Sequence, residues 1–188
     1  MCFLLGIFCV VLCADAGIAG ADHAQQIAAA ARDQIGKTIY YDPAYARLAY
    51  PGGDVPLERG VCSDVVIRAL RAVGVDLQVL INQDMKANFS DYPQNWGLSK
   101  PDPNIDHRRV LNIIAYYKRQ KRSLPLPVKI DNLQPGDFIT WTLPGNLPHM
   151  GIITDIQGQK VLITHNIGQG AQEEEVLYNW PITSHLRP

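Results

Sequence analysis

Residues 61–74 have the sequence VCSDVVIRALRAVG, and the fold assignment starts from this stretch. From Val65 its apolar residues recur at i, i+1, i+4, i+5 and i+8, which is the spacing of a helical stripe that faces a core. Gly74 follows the last apolar position and predicts the end of the helix, because glycine readily adopts the left-handed conformation found there. Cys62 is therefore expected in the first turn of a buried helix.

The pattern on either side of this helix changes from helical to β-type along the chain. Further helices are predicted over 21–37, 78–88 and 106–122, the last with Asp106 as its cap, and an ordered aromatic loop over 40–54. After residue 127 short β-prone runs alternate with Gly, Pro and Asn, which indicates an antiparallel meander. Helices followed by such strands predict an α+β fold. The predicted strands are 138–141, 150–154, 160–165 and 174–178.

Composition limits the classes of protein that are possible. The chain has 188 residues, of which 47% are hydrophobic, enough for the core of one domain. Lys and Arg number 17 against 18 Asp and Glu, so there is no basic field to attract nucleic acid. We expect a monomer that does not bind nucleic acid.

The first 21 residues are predicted to be a signal peptide. Residues 1–13 are apolar but too short to span a membrane, and small residues follow at 14–16 and 19–21. No Lys or Arg precedes the apolar run, unlike in most signals. Lipid attachment at Cys13 is the less favoured alternative, because bulky Leu12 precedes it. We expect a single domain over 22–188 that is periplasmic or secreted, with no integral membrane span.

Removal of the signal would leave Cys62 as the only cysteine, so no internal disulfide could form. The N–H groups and dipole of a helix start favour the thiolate, so a lowered pKa is expected for Cys62. The polar residues Ser63 and Asp64 argue against complete burial. The alternative is a buried cysteine that only fills space.

Two histidines are expected at one end of a hairpin. His149 starts the run at 149–153 and His165 ends the run at 161–165, with Gln157-Gly-Gln159 between them as a turn. Antiparallel pairing across this turn brings the start of one strand beside the end of the other. The pair then fits a general base and the residue that orients it. Taken alone, His165 would more often be a hydrogen-bonded structural histidine.

A zinc site is the competing use of Cys62, His149 and His165. The sequence lacks a closely spaced pair of ligands such as Cys-x2-Cys, with which zinc sites usually begin. We therefore predict neither a metal nor any other cofactor.

Four motifs occur in the order and spacing of a known family. They are Tyr50-Pro-Gly-Gly53, Val61-Cys-Ser-Asp-Val-Val66, Leu133-Gln-Pro-Gly-Asp-Phe138 and His149-Met-Gly-Ile-Ile153, the last followed by Ile163-Thr-His165. From residue 50 to residue 165 the chain resembles the NlpC-type cell-wall cysteine peptidases, a branch of the papain-like fold. It is also similar to a bacterial domain of unknown function, family 1287, whose most distinctive stretch corresponds to residues 102–109.

The resemblance implies roles for individual residues. Cys62 would be the nucleophile, His149 the base and His165 the orienting residue, while Tyr50 and the Cys62 N–H would bind the oxyanion. Typical members have an acidic residue before the cysteine that holds a stem-peptide amine. This chain has Val61 there, which places recognition of that amine in doubt.

Three charged residues have both a structural and a functional interpretation. Asp64 is in the first turn of the helix, where the helix dipole stabilises a carboxylate, and this is its structural interpretation. Its functional interpretation is contact with substrate. Arg108 and Arg109 could bind a substrate carboxylate with their guanidinium groups, although a solvated face or an ion pair is more common. His107 and His185 are expected to be structural.

The sequence thus predicts a thiol-dependent hydrolase that cleaves an amide bond in bacterial cell-wall (peptidoglycan) stem peptide. One alternative is an amidase, acyltransferase or deamidase that uses the same Cys-His-His site on another substrate, since a fold does not determine the substrate. The other is a wall-binding module without activity.

Overall fold

The helix that contains Cys62 begins and ends where local chemistry requires. At its start the Asp64 carboxylate accepts a hydrogen bond from the Val61 N–H at 2.7 Å. At its end Gly74 has a φ of +80°, and the Val75 N–H donates back to the Leu70 carbonyl at 3.0 Å. Both ends therefore follow from short-range signals in the sequence.

The computed structural model describes residues 15–188 of the chain, with side chains from residue 22 onward. The predicted signal peptide lies mostly outside the described residues. No helix among those described has the length and apolar character needed to cross a membrane. The four α-helices are α1 (Asp15–Arg32), α2 (Cys62–Ala72), α3 (Leu77–Asn88) and α4 (Val110–Arg119).

The strands form a two-stranded pair and a six-stranded sheet. In the pair, β1 lies parallel to β2; in the sheet, the order is β3-β8-β4-β5-β6-β7 and all pairings are antiparallel. Strands β4, β5 and β6 coincide with the first three strands of the predicted meander, and the α+β fold class is confirmed. The strands are β1 (Tyr40–Tyr41), β2 (Arg59–Gly60), β3 (Ser123–Leu124), β4 (Phe138–Leu143), β5 (Leu147–Gln157), β6 (Lys160–Asn166), β7 (Ala171–Glu174) and β8 (Ile182–Leu186).

The large sheet buries both of its faces. Phe138, Met150 and Ile152 pack against the helices in one cluster that includes the apolar side of α2. Residues whose side chains point to the opposite face, such as Trp141 and Ile153, pack in a second cluster with the segment that precedes β8. This alternation follows from the two-residue period of a strand.

Several element predictions need correction. The helix predicted over 21–37 ends at Arg32. The predicted helix over 106–122 is divided, since Asp106–Arg108 is a 3-10 turn and α4 begins only at Val110. The Asp106 carboxylate binds the Asp102 N–H and Arg109 instead of capping a long helix. Strand β8 was not predicted, and β7 ends at the residue where the fourth predicted strand begins.

The aromatic loop after α1 also contains a short strand. Tyr41 is aligned with Gly60 in the parallel pair β1–β2, two residues before Cys62. This pairing carries an aromatic side chain to the start of α2.

Candidate active site

Cys62 is more deeply buried than the sequence indicated. Its side chain is 4% exposed, and Ser63 and Asp64 are buried as well, so the expectation of partial exposure is wrong. Burial raises the pKa of the thiol to about 11. The N–H groups of Met150, Ser63 and Cys62 itself act in the opposite direction, but they do not offset the loss of hydration. The predicted lowering of the pKa is therefore also wrong.

The predicted hairpin is present and brings the two histidines together. Strands β5 and β6 pair across the turn, with Ile152 opposite Thr164 and Gln157 opposite Lys160. His149 Nε2 lies 2.9 Å from His165 Nδ1. This hydrogen bond leaves Nδ1 as the nitrogen of His149 that is available to another group.

Two tryptophans cover the histidine pair on the side of the sheet away from the helices. Trp141 lies opposite His149 on β4 and stacks on its ring with a centroid separation of 5.7 Å, and Trp180 meets the same ring edge-on at 6.1 Å. Burial, followed by the neighbouring His165, lowers the pKa of His149 to about 3. The imidazole is thus neutral at physiological pH, and burial makes it a weak base.

The histidine end of the sheet is attached to the start of α2. Asn166, which follows His165, donates to the Gly60 carbonyl at 3.0 Å, two residues before Cys62. Cys62 also shares a core cluster with Met150, the residue after His149. Within the described chain, neither imidazole is hydrogen-bonded to the thiol, so the structure brings the two segments together without a thiolate–imidazolium pair.

The structure places Tyr41, and not Tyr50, beside Cys62. Tyr41 and Cys62 line the same groove, and burial, together with the nearby Asp64 carboxylate, raises the pKa of this phenol. Tyr50 is 43% exposed, and its neighbour Gly52 binds Asp76, which follows the far end of α2. An α-helix of 11 residues is about 16 Å long, which separates the two positions.

The Tyr50-Pro-Gly-Gly motif therefore supports the junction between α2 and α3. The Tyr40-Tyr41 pair was the available signal for the phenol at the site, but periodicity does not distinguish a two-residue strand from a loop.

Asp64 and Arg108 are paired with each other. Arg108 Nε lies 2.8 Å from Asp64 Oδ1 and its Nη2 lies 2.9 Å from Oδ2, with both side chains 2% exposed. Arg109 contacts Asp106 at 3.0 Å and stacks on Trp96. The structural interpretation accounts for Asp64 and Arg108, since their charges already neutralise one another beside the groove.

The remaining described histidines in the core have structural environments. His185 Nε2 lies 2.7 Å from Asp137, which also binds Arg187, and this cluster joins β8 to the start of β4. His107 is buried between α2 and α3, and burial lowers its pKa to about 4. Over residues 15–188, no group of three His, Cys, Asp or Glu side chains is arranged to hold a metal ion.

Glu174 was not identified from the sequence. Its Oε2 lies 3.0 Å from His165 Nε2. It belongs to the acidic run 173–175, in which nothing distinguishes one carboxylate from the next until strand pairing is known.

A groove of about 230 Å³ opens above Cys62. Its walls are largely apolar and include Tyr41, Trp96 and Pro148, the residue before His149. Such a groove fits an extended, uncharged segment of a ligand.

Comparison with known proteins identifies a family and a curated relative of this chain. The family described as a domain of unknown function (DUF1287) matches residues 28–188. The uncharacterized protein YijF of Escherichia coli K12 is 53% identical over 163 residues, which is 86% of this chain and 80% of that protein.

Two solved structures from Trichomonas vaginalis, NlpC1 and NlpC2, are 10% and 13% identical, with TM-scores of 0.46 and 0.43. Each match covers 87% of this chain but only 43% of NlpC1 and 46% of NlpC2, so the chain spans less than half the length of either protein.

Proposed function

Because this chain belongs to the DUF1287 family, whose description assigns no activity, we propose its function from its own residues: a thiol-dependent hydrolase that cleaves an amide bond in bacterial cell-wall peptide. One observation carries the proposal. Cys62 and Pro148, the residue before His149, line one groove, and His149 Nε2 is already bonded to His165, which leaves Nδ1 as the nitrogen that can accept a proton.

In the first step the Cys62 sulfur attacks the substrate carbonyl carbon. A thiol with a raised pKa remains protonated, so its proton passes to His149 Nδ1 as the carbon–sulfur bond forms. The carbonyl oxygen then carries the negative charge of a tetrahedral intermediate. The Cys62 N–H at the helix start and the hydroxyl of Tyr41, which lines the groove, would donate hydrogen bonds to it.

In the second step the intermediate collapses. His149 returns its proton to the leaving amine, the carbon–nitrogen bond breaks and an acyl thioester remains on Cys62. Water, deprotonated by His149, attacks the thioester and releases the carboxylic acid and the thiol. The reaction is balanced without a cofactor.

The substrate class is supported by the ordered motifs around Cys62, His149 and His165, which resemble those of NlpC-type cell-wall peptidases, and by the bacterial origin of the E. coli relative. Such a substrate requires the protein to be periplasmic or secreted, consistent with a signal peptide over 1–21. An amide outside the cell wall, or acyl transfer in place of hydrolysis, would use the same two steps.

A wall-binding module without activity is the second candidate. The buried thiol with its raised pKa, and the missing hydrogen bond between Cys62 and His149 in the described chain, favour it. In that case the groove would bind peptide and the sulfur would only fill space.

Mass spectrometry of purified muropeptides that have been incubated with the protein distinguishes these functions. Muramyl products would identify an amidase, and cleaved stem peptides an endopeptidase. Cys62→Ser is the matched control, because it preserves the volume of the site but replaces the thiol with a weaker nucleophile. Unchanged muropeptides that nevertheless bind the protein would establish the binding module, and full activity of Cys62→Ser would refute the thiol mechanism.

A further inference from the structure

We propose that Glu174 sets the direction of the hydrogen bonds through His165 and His149, so that His149 Nδ1 stays unprotonated and able to accept a proton. This inference rests on the proposed hydrolase function, in which His149 accepts the thiol proton. Its basis is the order of the contacts. His165 lies between the other two groups, 2.9 Å from His149 through Nδ1 and 3.0 Å from Glu174 through Nε2.

A pair of neutral histidines joined in this way has two tautomeric arrangements. In the first, His149 Nε2–H donates to His165 Nδ1 and the hydrogen of His165 is on Nε2. In the second, His165 Nδ1–H donates to His149 Nε2, and the hydrogen of His149 is on Nδ1. Only the first arrangement leaves His149 Nδ1 able to accept a proton.

The Glu174 carboxylate selects the first arrangement because it is only an acceptor. It stabilises a hydrogen on His165 Nε2, and it would repel the lone pair that occupies Nε2 in the second arrangement. His165 Nε2 is fully buried and makes no well-aligned hydrogen bond within the described chain, so the nearby carboxylate is the group on which it depends. Glu174 is 43% exposed, and its side chain is therefore free to turn into line with the ring N–H.

The neighbouring glutamates do not share this role. Glu173 accepts hydrogen bonds from Arg32 at 2.5 Å and from Thr154 at 2.6 Å. Glu175 is exposed beyond the end of β7. Among the ion pairs of the described chain, Glu174 has a single partner, which is His165. Glu174 is therefore the one carboxylate of the run 173–175 that contacts the histidine pair.

The charge of Glu174 also acts during the reaction. When His149 takes the thiol proton, an imidazolium forms among Trp141, Trp180 and His165, where burial disfavours a positive charge. A carboxylate one ring away partly offsets this cost. Glu174 is thus a positioning residue, since it acts through His165 and does not touch the reacting atoms.

Long-range ¹H–¹⁵N NMR of the histidine rings tests the proposal without any substrate, because it reports which nitrogen carries the hydrogen. We expect Nε2–H on both His149 and His165 in the wild-type protein. Glu174→Leu should move His165 toward Nδ1–H, and Glu174→Gln should give a mixture, because an amide can donate as well as accept. Glu175→Gln, which removes an equal charge one residue away, should change neither ring.

The same variants are then assayed on the muropeptide substrate. Glu174→Leu should lower kcat by more than about tenfold with little change in KM, and Glu175→Gln should match the wild type. His165 carrying Nδ1–H in the wild type, or unchanged tautomers in Glu174→Leu, would overturn the proposal. Failure of the proposed hydrolase function would be a separate result: the wild-type protein would show the expected tautomers by NMR but would cleave no muropeptide.

Discussion

At the sulfur of Cys62, burial and the helix start act on the thiol pKa in opposite directions. The free N–H groups of a helix start favour the thiolate, but the surrounding core removes the water that would hydrate it. Because burial is the larger effect, the pKa is raised to about 11. The resting site therefore holds a neutral thiol and a neutral imidazole.

Alkylation of Cys62 should show this raised pKa. In the folded protein the rate with iodoacetamide should be low at neutral pH and should rise toward pH 11, because only the thiolate reacts. In the unfolded protein the same rise should occur near the ordinary value of ~8.5. Mass spectrometry of quenched samples gives both rates. Rapid labelling of the folded protein below pH 7 would contradict the raised pKa.

Substitutions at the two histidines should have unequal effects on catalysis. His149→Ala removes the proton acceptor and should lower kcat by about 10²–10⁴-fold. His165→Ala removes only the group that orients it, so the loss should be smaller, and His165→Asn or His165→Gln should recover part of it by restoring a hydrogen bond. Steady-state kinetics on the muropeptide substrate measure all four. Equal and complete loss for every variant would point to a structural role of His165.

At the scale of elements, the start of α2 depends on a contact that is distant in sequence. Asp64 caps the helix through the Val61 N–H and also pairs with Arg108, 44 residues further along the chain. One carboxylate thus connects the helix start to the segment that leads into α4. The same segment accepts a hydrogen bond from the Ser63 hydroxyl at the Arg108 carbonyl, at a distance of 2.6 Å.

Asp64→Ala should lower the free energy of unfolding by about 3–5 kcal/mol, because it leaves the buried guanidinium of Arg108 without its counter-charge. Urea denaturation followed by circular dichroism measures the change. Asp33→Ala is the control, since it breaks an exposed ion pair with Lys37 and should leave the midpoint nearly unchanged. Similar midpoints for the two variants would show that the buried pair does not stabilise the fold.

The hairpin of β5 and β6 requires a residue without a side chain at position 151. A Cβ on Gly151 would lie 2.6 Å from Ile163 Cγ2 and 3.0 Å from His165 Cβ, which is closer than packing permits. The glycine in the motif His149-Met-Gly-Ile-Ile153 therefore allows the strand that carries His165 to approach.

Gly151→Ala should destabilise the protein by about 1–3 kcal/mol through overpacking, and it should also displace His165. Activity per folded molecule should fall as a result. Ile153→Val, which removes one methyl group from the same strand, should cost about 0.5–1.5 kcal/mol and leave that activity unchanged. Thermal melts combined with kinetics test both variants. Wild-type behaviour of Gly151→Ala would show that the strands do not approach this closely.

At the scale of the whole molecule, the core begins after the predicted signal peptide. The first buried apolar side chains of the described chain are Ile27, Ala28 and Ala31, on the later turns of α1. Cleavage before these residues would leave the packing of α1 against α2 and the sheet in place.

We expect the mature protein to begin near Gly17 or Asp22 and to be found outside the cytoplasm. Intact-mass measurement on protein from fractionated native cells gives the first residue and the compartment together. A full-length product in the cytoplasm would exclude export, and Cys2, Cys9 and Cys13 would then have to be considered with Cys62.

Short-range patterns by themselves determined the framework of this protein. The helical stripe after Cys62, with Gly74 as its stop, predicted α2, and the turn at 157–159 predicted the hairpin that joins His149 to His165. These features depend on interactions between residues close in sequence, such as capping, turn conformation and strand period, and a single chain displays them directly. The α+β class follows from their order.

Only the tertiary structure decided how these pieces become a site. Burial in the folded chain raises the pKa of Cys62, and Asp64 pairs with Arg108. Packing also brings Tyr41, and not the predicted Tyr50, beside Cys62, and it selects Glu174 from the acidic run 173–175 as the neighbour of His165. Each of these outcomes depends on which distant segments pack together, and β7, which carries Glu174, meets β6 only through sheet pairing. The hydration of a buried group is a property of everything that surrounds it, and no local pattern of residues contains that information.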